Sequence, residues 1–132
     1  MNRKKALLLL FQIFNGLLDE RFSIHELIQD ELLDILKNSG AEQKVFNLLV
    51  ARLNLLQFYW ERACELREFE PLRNGIYSMH IDTANMNVRI LYAFNGSKVY
   101  LLHAFFERGG KKHTDYTGRI ELAQKRLNEM KE

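Results

Sequence analysis

Apolar residues recur at 7, 10, 11, 14, 17 and 18. That helical stripe, in a run rich in leucine rather than β-branched residues, predicts a first helix over about residues 4–20, with a short strand as the alternative. Ser23-Ile24-His25-Glu26 has the form of a capping box. In such a box the serine hydroxyl accepts from a first-turn N–H and the glutamate reaches back, so a second helix is expected to begin there. Its stripe of Ile24, Leu27, Ile28, Leu32, Ile35 and Leu36 runs into Asn38-Ser39-Gly40, residues that favour termination, and leaves His25 on the polar, solvated side. A third helical segment, about 42–67, places Val45, Leu49, Leu53, Leu56, Trp60 and Ala63 on one face. Phe46, Leu48, Leu55 and Tyr59 widen that face enough to imply burial on more than one side.

The period then changes. Pro71 closes the helical half and Asn74-Gly75 marks a turn. Residues 76–82 alternate, 88–94 are rich in β-branched and aromatic types, and 97–106 continue the pattern after Asn95-Gly96, a strong hairpin signal. Helical spacing returns after Gly118 at Ile120, Ala123 and Leu127. The chain is therefore expected to be a single α+β domain over 1–132. In it, helices from 1–70 pack on a small twisted antiparallel meander, and a short C-terminal helix follows within 71–132.

Register arithmetic distributes the polar residues. With Asn95-Gly96 as a two-residue turn, Phe94 faces Ser97, Tyr92 faces Val99, Ile90 faces Leu101 and Val88 faces His103. A four-residue loop over 83–86 pairs Asp82 with Asn87, Ile81 with Val88, His80 with Arg89 and Met79 with Ile90. One face then carries Tyr77, Met79, Ile81, Val88, Ile90, Tyr92, Val99, Leu101, His103 and Phe105, the face for the helices to cover. The other carries Ser78, His80, Arg89, Leu91, Lys98, Tyr100 and Leu102. On it His80 and Arg89 are direct neighbours, and without a carboxylate beside them a bound phosphate would relieve their repulsion.

Composition narrows the class. The 132 residues, 47% hydrophobic and 27% charged, describe one ordinary globular core and leave no room for a separate cofactor domain. A single cysteine, Cys64, forms no internal disulfide and has no ligand partner at metal spacing, so it is read as a small core residue in a reducing, cytoplasmic setting. No metal and no cofactor are expected. The N-terminal basic-then-apolar run lacks a small-residue cleavage site and is too short to span a bilayer, so no membrane association is expected. The formal net charge of +2 conceals a positive excess of four within 71–113, a stretch that also holds His80, His103 and His113. Such an excess favours a polyanion-facing surface. Gly109-Gly110-Lys111-Lys112 lacks the spacing of a P-loop.

Residues 75–81, 88–96 with their strand arginine and Asn-Gly hairpin, the Leu101-Leu102-His103-Ala104-Phe105 strand leading to a basic stretch, and the Ala123-Gln124-Lys125-Arg126 helix together resemble the RelE/ParE toxin superfamily. The likeness is greatest to its HigB-like, phage-derived branch. It covers about residues 66–132 and implies helices on a twisted antiparallel sheet. It also implies the toxin of a type II toxin–antitoxin pair, neutralised by a cognate antitoxin and cleaving mRNA on the ribosome. Carried over by position, Arg89 matches the family's strand arginine, Arg108, Lys111 and Lys112 fall in its basic stretch, and Tyr116 stands for the tyrosine near the C-terminal helix. Departures are His80 where Arg or Lys is usual, Glu107 in place of the first of a Lys-Lys pair, and Lys112-His113-Thr114 where Thr-Pro is expected.

Metal-free RNA cleavage uses the neighbouring 2′-OH as nucleophile, so the protein supplies proton transfer and charge stabilisation. His80 and His113 are the candidates for proton transfer, with Arg89 and Tyr116 completing the catalytic set. Arg73, Arg108, Lys111 and Lys112 are candidates for phosphate binding and Tyr100 for base stacking. His103, on the expected core face, is read as a buried, hydrogen-bonded histidine. Two other readings use the same fold. One is a non-enzymatic ParE-like toxin, the other an inactive phage-derived binding protein. The helical half offers a surface for the antitoxin or for a second copy of the chain.

Overall fold

The computed structural model describes residues 2–84, 86–108 and 116–131, excepting the side chains of Glu107 and Arg108. Helix α1 (Arg3–Gln12) is capped by Asn2, whose side chain accepts from the Lys5 N–H at 2.8 Å, and it ends in a π-helical turn over Ile13–Leu17. The expected capping box does not form: Ser23 lies in a short strand, β1 (Phe22–Ile24), and helix α2 starts later, at Ile28–Asn38. Its entry is organised by His25 instead. The ring Nδ1 accepts from the Leu27 N–H at 3.1 Å and the backbone carbonyl accepts from Ile28 at 3.1 Å, which buries His25 rather than leaving it solvated. At the far end Ser39 Oγ bridges the Leu36 carbonyl and the Ala41 N–H, and Gly40 takes φ +69°.

Helix α3 (Glu42–Tyr59) buries Val45, Leu49, Leu53 and Leu56, then tightens into a 3₁₀ turn over Trp60–Glu65 rather than continuing to residue 67. Its breadth is only half used, because Phe46, Leu48 and Leu55 are partly buried while Tyr59 and Phe58 (81% exposed) face outward. The sheet comprises β1, β2 (Phe69–Pro71), β3 (Tyr77–Asp82), β4 (Met86–Asn95) and β5 (Lys98–Arg108), in the order β1-β5-β4-β3-β2. Strands β2 to β5 form the antiparallel meander, but β1 joins β5 in parallel, so the sheet is mixed. Helix α4 (Tyr116–Lys131) follows. Among the described residues no helix is long and apolar enough to cross a membrane.

Three layers result. Helices α1 to α3 cover the face formed by Met79, Ile81, Val88, Ile90, Tyr92, Val99 and Leu101, as the alternation predicts. The second face is not open: α4 packs Ile120 and Ala123 against Ile76, Leu91, Ala93, Leu102 and Phe105. The β3–β4 register matches the expected pairs, His80 with Arg89 included. The β4–β5 register does not. The turn sits at Gly96-Ser97, so Phe94 faces Val99 and Tyr92 faces Leu101, a two-residue shift that keeps each side chain on its face. A bulge beside Leu91/Tyr92 then shifts the pairing by one more residue. His103 therefore lies opposite Leu91 and Phe105 opposite Arg89, on the α4 face rather than the expected one.

Candidate functional site

The α4 face gathers side chains from four elements around Arg89. Strand alternation puts His80 and Asp82 on the same side of β3, and antiparallel pairing sets Arg89 directly across from His80 and diagonal to Asp82. Arg89 Nη1 donates to Asp82 Oδ1 at 2.6 Å and to the Val88 carbonyl at 3.0 Å, while Nε donates to the Tyr116 hydroxyl at 3.0 Å. The first residue of α4 thus closes onto the strand arginine. His80 Nε2 lies 3.1 Å from Glu70 Oε1, a residue of β2. Arg52 of α3 donates to the His80 carbonyl at 3.0 Å. A cleft of about 390 Å³ opens beside these groups, lined by Arg52, Arg67, Glu68, His80 and Asp82.

These contacts correct one premise of the sequence reading. The two basic residues do not stand without carboxylates: Asp82 pairs with Arg89 and Glu70 with His80. The Arg89 side chain is 10% exposed and that of His80 19%, whereas Asp82 is 54% exposed and Glu70 46%. The two basic side chains are thus seated in the fold and their carboxylate partners lie at its surface. Burial, followed by the neighbouring Arg89 charge, pushes the His80 pKa below its ordinary 6.5, with Glu70 and Asp82 opposing, so the ring is neutral at pH 7. For Arg89 burial acts downward, but the hydrogen bonds to Asp82 and Tyr116 outweigh it and raise the pKa further. Arg89 remains a fixed cation. Its Nη2 has no hydrogen-bond partner among the described residues, nor has the hydroxyl of the buried Ser78 on the same strand as His80.

Of the other expected site residues, Lys111, Lys112 and His113 lie outside the described residues, as does the side chain of Arg108, whose backbone pairs with Met86. Two are placed away from the cluster. Arg73 is exposed in the β2–β3 turn, and at about 3.3 Å per residue the three positions from Tyr77 to His80 alone separate it by about 10 Å. Tyr100 pairs with Ala93, four positions along β4 from Arg89, and packs half-buried in the α4 core instead of offering a free ring.

A second polar cluster had no local signal. His103 is buried and hydrogen-bonded as expected, its Nδ1 2.9 Å from Glu31 Oε2 and its Nε2 3.0 Å from Arg119 Nη1. Glu31 also accepts from the Ala104 N–H at 3.0 Å and, through both oxygens, from Arg126 at 3.0 and 2.9 Å. Arg126 further donates to the Leu102 carbonyl at 2.9 Å. Burial opposes ionisation of Glu31, but its hydrogen bonds to His103 and Ala104 and its pairing with Arg126 hold its pKa below the ordinary 4.5. Glu31, Arg119 and Arg126 lie 72, 16 and 23 positions from His103. Among the described residues no group of three His, Cys, Asp or Glu side chains is placed to share a metal ion. No protein-family model, curated protein or solved structure matches this chain.

Proposed function

We propose that this protein is the toxin of a toxin–antitoxin pair, a metal-free endoribonuclease that cleaves mRNA on the ribosome at a site built on His80 and Arg89. The observation that carries the reading is the pairing of a neutral histidine with a seated arginine across β3 and β4, with Tyr116 fixing the arginine's orientation. In the reaction the 2′-oxygen attacks the adjacent phosphorus as its proton passes to a base. The bond to the departing 5′-oxygen breaks, and that oxygen takes up a proton. The products are a 2′,3′-cyclic phosphate and a 5′-hydroxyl.

His80 suits the base role. With Nε2–H donated to Glu70, the ring's lone pair sits on Nδ1, and the lowered pKa keeps it unprotonated at neutral pH. Arg89 suits charge stabilisation, because the exchange of Asp82 for a phosphate oxygen replaces one charge-assisted hydrogen bond by another and Nη2 adds a second donor. The cognate antitoxin is the expected protein partner, and the exposed Leu8, Phe11 and Phe58 give the helical half apolar surface to meet it.

A non-enzymatic binding role is favoured by one observation, that Arg89 and His80 each already have a carboxylate partner in the free chain. Cleavage of mRNA on purified ribosomes separates the two readings. Wild type is expected to cut, Arg89→Ala to lose at least about a hundredfold in rate, and His80→Ala about 10²–10⁴-fold. Unchanged cutting by both variants, or none by wild type, would exclude this site.

A further inference from the structure

We infer that Arg119, seated on Phe105 and held by His103, is a second phosphate subsite for single-stranded RNA, a proposal that rests on the nuclease reading above. A guanidinium has only donors, so Arg119 Nη1 at 3.0 Å from His103 Nε2 identifies that nitrogen as the lone-pair position. On that tautomer Nδ1 donates to Glu31 at 2.9 Å, the shorter of its two contacts, with Arg126 Nη1 at 3.4 Å from the same nitrogen. Glu31 is balanced by Arg126, which contacts both of its oxygens from a nearly buried position. Among the described residues the positive charge on Arg119 has no carboxylate partner.

Arg119 forms no ion pair among the described residues, although Asp34 lines the same cleft. Its guanidinium carbon lies 4.6 Å from the centroid of the Phe105 ring, which His103 also stacks against at 5.2 Å and 26°. Ring and imidazole together hold an exposed arginine in one orientation, which lowers the entropy lost when its planar fork meets an anion. The cleft it lines is about 230 Å³, room for a phosphate group, and includes Glu31, His103, Phe105 and Phe106.

Continuity with the first site selects a polynucleotide over an isolated anion. Phe105 lies directly opposite Arg89 across β4 and β5, and Tyr116, which holds Arg89, packs edge-on to Phe105 at 5.9 Å. Tyr116 and Arg119 are one turn apart on α4. The two arginines therefore flank a single pair of rings, an arrangement for neighbouring phosphates of one strand.

The test is the affinity of the full chain for a short single-stranded RNA, by fluorescence anisotropy, at salt concentrations from about 50 to about 200 mM. Arg119→Ala is expected to weaken binding about tenfold and to make the dependence of log Kd on log salt shallower by about 0.7. Arg119→Lys keeps the slope while recovering only part of the affinity, because it restores charge without the fork. Unchanged affinity and slope in Arg119→Ala, with Arg89→Ala still weakened, overturns the subsite and leaves the nuclease reading standing. Failure of wild type to bind the RNA overturns both. If inorganic phosphate displaces the RNA from wild type as well as an unlabelled RNA strand does, the site is one for free phosphate and the polynucleotide assignment fails.

Discussion

Replacing Glu31 by alanine tests whether the polar cluster under α4 holds the layers together. The carboxylate joins α2 to β5 and α4 through four hydrogen bonds of 2.9–3.0 Å, from His103, Ala104 and twice from Arg126, and its side chain is 19% exposed. Without it, the buried Arg126 guanidinium keeps, among the described residues, only the Leu102 carbonyl as a close oxygen acceptor, and the Ala104 N–H loses the Glu31 acceptor. Breaking a buried pair in this way costs about 3–5 kcal/mol. Partial exposure of Glu31 places the expectation at the lower end, about 3 kcal/mol. Urea denaturation followed by far-UV circular dichroism measures the loss as a lower midpoint with unchanged slope. Glu31→Ala and Arg126→Ala share one interaction, so their double variant should cost less than the sum of the singles by at least about 1 kcal/mol. A loss below about 1 kcal/mol for Glu31→Ala, or strict additivity in the double variant, would show that the cluster contributes little to holding α4.

Acid stability should fall in two stages. Burial lowers the pKa of both His25 and His80 from 6.5, so the folded state binds fewer protons than the unfolded chain and stability is lost as pH drops below about 6.5. Glu31, with its pKa below 4.5, adds a second loss only below that pH. Melting temperatures across about pH 2–8 check both stages, and His80→Gln should shrink the first. Leu53→Ala, at a fully buried position of α3, should cost about 2–5 kcal/mol by urea midpoint. Gly96→Ala should cost about 1–2 kcal/mol, because φ is +63° although the space around the missing Cβ is open. In the ribosome assay, Glu70→Gln should move the acid limb of the rate profile to lower pH, since Glu70 opposes the fall in the His80 pKa.

What could be read in the sequence follows from the range of each interaction. The His80–Arg89 pair was legible because strand alternation and a short loop fix register locally; the same alternation puts Asp82, two positions along β3, on their face, although the expected face omits it. Strands β1 and β2 have three residues each, too few to show a period, so Glu70 was not foreseen as the partner of His80. Ser23-Ile24-His25-Glu26 fits a helix start, but edge pairing with β5 overrides it and passes the entry to His25. The bulge in β5 has no residue signature, yet it decides that His103 and Phe105 lie on the α4 face. The Glu31–Arg126 bridge spans 95 positions, a separation at which only tertiary packing brings side chains together.

The central claim is that a scissile phosphate takes the place of Asp82 on Arg89. Its most direct measurement is a crystal structure of the protein on the ribosome with an mRNA blocked by a 2′-O-methyl group. A phosphate oxygen is expected about 2.7–2.9 Å from the Arg89 guanidinium, with the Asp82 carboxylate withdrawn and the His80 ring beside the blocked 2′-oxygen. An intact Arg89–Asp82 pair, with the RNA backbone lying elsewhere on the protein, would contradict it.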